Sequence, residues 1–142
     1  MDRIFRRKVS LFAAGLLTAL AAIAAWAAWL GRDQERDVRP DGSETGPYEV
    51  WQGAGLVLTL LLPVAWMAVR GHGRAGAAGT SAGLTIAAYH DWSDDAGGLY
   101  AVGTLLVAAG SLAATMTVQA LVTAWSDRRV LRRRARRHRP TT

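Results

Sequence analysis

The chain has 142 residues, 51% of them hydrophobic, with 17 basic and 11 acidic side chains and no cysteine. One domain fits that length, and the missing cysteine excludes disulfides, thiolate metal sites and thiol redox chemistry. The net charge of +6 is less informative than its distribution, because apolar blocks alternate with short charged or glycine-rich stretches, the pattern of a chain built for a bilayer. Asparagine is absent and lysine occurs once, while alanine, glycine and arginine abound, a bias typical of a GC-rich bacterium.

The first apolar block, residues 9–30, predicts a helix of about 33 Å, enough to cross about 30 Å of hydrocarbon. Arg3, Arg6, Arg7 and Lys8 precede it. Ala25-Trp26-Ala27 has the form of a signal-peptide cleavage site, but the run exceeds the ~7–15 residues of a signal h-region, and tryptophans stand where small residues belong. The block therefore reads as a retained span. Residues 31–49 form a polar, acidic connection with turn signals at Pro40-Asp41-Gly42 and Gly46-Pro47. It lacks the apolar periodicity to build a core and reads as a flexible or partly ordered loop.

Residues 50–69 form the second span. Pro63 lies inside it and cannot donate to the carbonyl of Thr59, which predicts a kink. A short basic turn, Arg70 to Arg74, leads into the third and weakest span, residues 75–90. Its Gly79-Thr-Ser-Ala-Gly83 segment, followed by Ala87, is a GxxxG surface suited to close helix contact, within the bundle or with a partner. His90, Asp91, Asp94 and Asp95 then cluster. They could hold a divalent cation, with Glu44 or Glu49 as further ligands. The plainer reading is that Ser93, Asp94 and Asp95 cap the next helix, so no metal site is assigned.

The fourth span covers residues 98–125. Ser111, Thr115, Gln119 and Thr123 recur every four residues and share one slowly winding face. Polar groups in hydrocarbon need partners, so this face should meet protein, either as an interhelical seam or as the lining of a path. Residues 126–142 form a basic tail with Arg128, Arg129, Arg132, Arg133, Arg134, Arg136, Arg137 and Arg139. The tail suits orientation and contact with anionic headgroups, at about 1 kcal/mol per arginine near such a surface. Nucleic acid is not expected, because no aromatic residues alternate with the arginines to stack bases.

Four spans place 14 of the 17 basic residues on the side of the termini and 3 on the other, with nine of the eleven acids opposite the termini. This asymmetry predicts a cytoplasmic N-terminus and C-terminus in a plasma membrane. Three spans would put the arginine tail on the wrong side. Trp26, Trp29, Tyr48, Trp51, Tyr89, Trp92 and Tyr100 fall at the outer interface, and Trp66 and Trp125 at the inner one, where such rings are favoured. The short inner and second outer turns predict an all-α, up-down bundle of four transmembrane helices, a single membrane domain over residues 1–142.

No Asp, Glu, Lys or Arg lies within an expected span, which argues against proton- or ion-coupled transport. No serine stands beside a histidine in a nucleophile motif, and His72, His90 and His138 fall at three separate places. The sequence thus points to a non-enzymatic membrane protein without cofactor, an accessory or self-associating subunit whose partner is another membrane protein or its own copy. The alternative is a small permease or channel lined by the fourth-helix stripe.

Overall fold

The computed structural model describes residues 3–31, 49–93 and 98–137, with side chains over 8–31, 49–93 and 98–129. Within them the chain forms four α-helices: α1 (Arg3–Trp29), α2 (Val50–Val69), α3 (Gly73–Trp92) and α4 (Tyr100–Arg137). The expected acidic loop lies almost wholly outside the described residues, as do Asp94, Asp95 and Arg139.

Two helices run further than their apolar blocks. α1 begins at Arg3 rather than at residue 9, and α4 continues to Arg137 rather than stopping near 125. Arginine and lysine are good helix formers, and nothing in either flank interrupts the backbone before Pro140. At 38 residues, α4 is the longest element, about 57 Å from end to end. Its start also differs from expectation. Gly98 sits at φ +67°, outside the helical region, and the helix begins at Tyr100. Ser93 therefore does not cap α4. It is the C-cap residue of α3, and its hydroxyl donates to the carbonyl of His90 at 3.2 Å.

α2 passes through Pro63 as one continuous helix. Its N-terminus is held by Gln52, whose Oε1 accepts the Glu49 amide at 2.8 Å. At its other end Gly71, at φ +73°, reverses the chain. The Gly71 amide donates to Ala68 and the His72 amide to Met67, at 3.1 and 2.9 Å, which makes a Schellman cap. α3 starts one residue later.

The register of contacts makes the bundle up-down. Gly79 of α3 abuts Gly15 of α1 and Gly83 abuts Ala19, so these two helices run parallel. Ser81 meets Ser111 and Gly73 meets Gln119, so α3 and α4 run antiparallel. α3 and α2 hold the middle, while α1 and α4 lie on opposite flanks, with no close approach of their backbones among the described residues.

Burial follows the helical period. Ala14, Thr18, Ala22, Ala25 and Trp26 line the inward face of α1, and Gln52, Leu56, Leu60, Val64 and Met67 that of α2. The polar pattern is inverted relative to a water-soluble bundle. Thr18, Gln52, Thr80, Ser81, Thr104, Thr115 and Gln119 are buried, while leucines, valines and tryptophans cover the outside of α1, α2 and α4.

Three helices are long and apolar enough to cross a membrane: α1, α2 and α4. α3, the weakest of the expected spans, matches α2 in length, with 20 residues, but falls short of all three in hydropathy. Its place explains its composition. It is packed against all three neighbours, and close packing favours glycine, alanine, serine and threonine over bulky apolar side chains.

Candidate functional site

The expected helix-contact residues converge on the two seams of α3. On the α1 side, a Cβ added to Gly79 would collide with the Gly15 carbonyl and the Thr18 hydroxyl. One added to Gly83 would meet the Ala19 backbone and lie 2.9 Å from the Ala22 Cβ. Gly76 extends this surface toward α2, with the Met67 Cβ 2.8 Å from where its own Cβ would stand. The GxxxG face is thus covered by α1 within a single chain.

On the α4 side, Ser111 and Ser81 share a hydrogen bond of 2.9 Å, and the Ser81 hydroxyl also donates to the Ala108 carbonyl at 3.0 Å. Thr115 is buried and donates to its own helix, to Ser111 at 2.7 Å and Leu112 at 3.1 Å. The Gln119 side-chain amide donates to the Gly73 carbonyl. Thr123 is exposed, because α3 begins level with Gln119 and leaves nothing beyond it for Thr123 to meet. Three of the four stripe residues therefore face α3. The hydroxyls of Thr80 and Thr104 are buried without a hydrogen-bond partner, each a cost of about 1–3 kcal/mol unless water reaches it.

The ends of the bundle differ in chemistry. At one end three aromatic pairs stack edge to face: Trp26 with Trp92, Trp29 with Trp51, and Tyr89 with Tyr100, at centroid distances of 5.9, 6.1 and 5.9 Å. Such pairs each contribute about 0.5–1.5 kcal/mol beyond area burial. Trp26 Nε1 donates to Asp91 at 3.3 Å, and Trp29 Nε1 donates to Thr59 at 3.0 Å. A groove of about 330 Å³ opens here between α1 and α3, beside Ile23, Trp26, Ile86 and His90. Among the described residues no group of three potential metal ligands forms.

At the other end the aromatic partners are cations. The Arg70 guanidinium lies 4.6 Å from the Trp66 ring centroid, and that of Arg129 lies 3.4 Å from the Trp125 centroid. Arg128 and Arg129 are exposed. Arg132, Arg133, Arg134, Arg136 and Arg137 continue the same helix.

One pairing at this end has no counterpart in the sequence reading. Ser10 of α1 and His72 of the α2–α3 turn are 62 residues apart, yet Ser10 Oγ lies 2.8 Å from His72 Nε2. His72 Nδ1 lies 2.8 Å from the Arg70 carbonyl. No local motif joins these residues. The signal that could have found them is register, since an up-down bundle brings the start of the first helix to the turn between the second and third. No protein-family model matches the chain, and no curated protein or solved structure is significantly similar to it.

Proposed function

We infer that this chain is an integral membrane protein of four transmembrane helices, with both termini in the cytoplasm of a bacterial cell, and that it works by association. The inverted polarity of the bundle supports insertion, because lipid can solvate the exposed leucines and tryptophans that water cannot. The charge asymmetry supports the orientation, with the arginine-rich end inward. The cation–aromatic pairs at that end and the aromatic pairs at the other fit two interfacial belts.

The observation that carries association is the exposure of α4. Only 6% of its apolar window is buried, against 28% for α1 and for α2. Its outward side includes Ala109, Gly110, Ala113 and Thr117, small residues that let a further helix approach. A Cβ added to Gly110 meets nothing within 4 Å among the described residues, unlike those of Gly79 and Gly83. The partner is another membrane protein or a second copy, with the basic extension of α4 lying on anionic headgroups beside it.

The test is the mass and composition of the complex extracted gently from its native membrane. A second protein in fixed ratio, or a homo-oligomer, fits the reading, and a lone monomer overturns it. Because the chain has no cysteine, single cysteines placed at residue 43 and residue 141 report orientation by their accessibility from each side.

A small permease or channel is the second reading, and the unpartnered hydroxyls of Thr80 and Thr104 favour it, since water admitted beside them would satisfy them. The two readings part at Gln119→Leu. Loss of assembly or stability fits a seam, whereas loss of flux with assembly intact fits a path.

A further inference from the structure

We propose that Ser10 and His72 form a nucleophile–base pair that cleaves carboxylic esters of anionic amphiphiles at the basic end of the bundle. This activity is additional to association and does not depend on it.

The hydrogen-bond geometry fixes the chemistry. A carbonyl oxygen can only accept, so the contact from His72 Nδ1 to the Arg70 carbonyl at 2.8 Å places a proton on Nδ1. In the neutral ring Nε2 then carries a lone pair, and the Ser10 hydroxyl donates to it at 2.8 Å. Nucleophile, base and a third group that holds the base in the required tautomer stand within hydrogen-bond reach. The Arg70 carbonyl supplies the orienting part of the role that a carboxylate fills in a Ser-His-Asp triad, without its negative charge. It is held by the Schellman turn at Gly71, so the orientation of the ring is built into the backbone.

The surroundings suit an anionic ester. Ser10 is exposed. Lys8, Arg70 and Arg74 are exposed too, each two residues from Ser10 or His72 in sequence. α3 begins immediately after His72; the Gly76 amide donates to the His72 carbonyl at 2.9 Å, and the amides of Gly73, Arg74 and Ala75 precede the first bond within the helix. Such amides can donate to the oxyanion of a tetrahedral intermediate. In a four-span orientation Ser10 sits near the inner end of α1, about two residues inside the basic flank, where the ester bonds of lipids lie.

Each step balances with these groups alone. Ser10 Oγ adds to the ester carbonyl carbon while its proton passes to His72 Nε2. The carbon–oxygen bond to the alcohol breaks, and His72 returns the proton to the leaving oxygen. Water, deprotonated by the same nitrogen, then cleaves the acyl–Ser10 ester. The carboxylic acid departs, and both side chains regain their starting state.

The full chain, reconstituted in phosphatidylglycerol vesicles, is treated with a fluorophosphonate probe, and adducts are located by mass spectrometry. The expected result is an adduct on Ser10, with exposed Ser93 as an unactivated reference in the same molecule. His72→Gln, which can still hold Ser10 by a hydrogen bond, should slow labelling by about 10²-fold or more. No Ser10 adduct in folded protein, or labelling that is equally fast in His72→Gln, overturns the pair. Release of fatty acid from the vesicle lipid above the Ser10→Ala background fits the substrate class. Equal turnover in phosphatidylcholine vesicles overturns that class.

Discussion

The side-chain amide of Gln119 on α4 donates to the backbone carbonyl of Gly73, the first residue of α3. This one bond fixes where α4 passes the α2–α3 turn. A Cβ on Gly73 would stand 2.6 Å from Gln119 Oε1, so the glutamine side chain would have to turn aside to admit one. Gln119→Leu leaves the carbonyl contact unmade, and the protein should lose about 1–3 kcal/mol of stability. Denaturant titration of the detergent-solubilised protein reads this directly, and an unchanged midpoint would show that the contact contributes nothing.

Glycines of the α1–α3 seam and the open glycine of α4 should respond in opposite ways. Gly79→Val forces the α1 and α3 backbones apart, an overpacking cost of about 1–3 kcal/mol or more. Gly110→Ala meets open space and removes a helix-interior glycine, so the monomer should gain up to about 1 kcal/mol. The thermal midpoints of the two variants, measured beside the parent chain, should move in opposite directions.

Thr80 is 1% exposed, and its hydroxyl has no partner. Thr80→Val keeps the shape and removes a polar atom that makes no bond, so stability should hold or rise by about 1 kcal/mol. A loss above that size would show that a buried water bonds the hydroxyl, and would strengthen the reading of a polar path.

Trp26→Phe retains an aromatic ring beside Trp92 but removes the donor to Asp91. The expected loss is about 1–2 kcal/mol, for a hydrogen bond to a charged group. Asp91→Asn should cost less, because its side chain still offers an oxygen acceptor. The ordering of the two denaturation midpoints checks the direction of that bond.

Much of the scaffold was legible because continuous apolar length marks the long helices α1, α2 and α4. The rings expected at the interfaces occur in pairs at the ends, whereas the inward faces of α1 and α2, buried at three- and four-residue spacing, were not read from their all-round apolar blocks. Helix ends were less legible, because a hydropathy block marks where a chain can meet lipid and not where its backbone stops being helical. Arginine prolongs α4 twelve residues past the apolar limit at 125 for that reason. The GxxxG pair of Gly79 and Gly83 was visible as a contact surface, but its partner, α1, was not. Spacing states that a backbone can come close without saying which one does. Ser10 and His72 were invisible as a pair, since only the folded register brings them together.

The central position of α3 also bears on biogenesis. A segment of glycine, alanine, serine and threonine gains little from burying its own side chains in an apolar phase, so its placement depends on the helices beside it. α1 and α2 precede it in the chain and cover two of its neighbouring surfaces, but the α4 seam stays open until α4 has been made. The enclosure of α3 is completed only when Ser111 and Gln119 engage Ser81 and Gly73. A nascent chain that ends before α4 would leave that face of α3, with the Ser81 hydroxyl, uncovered.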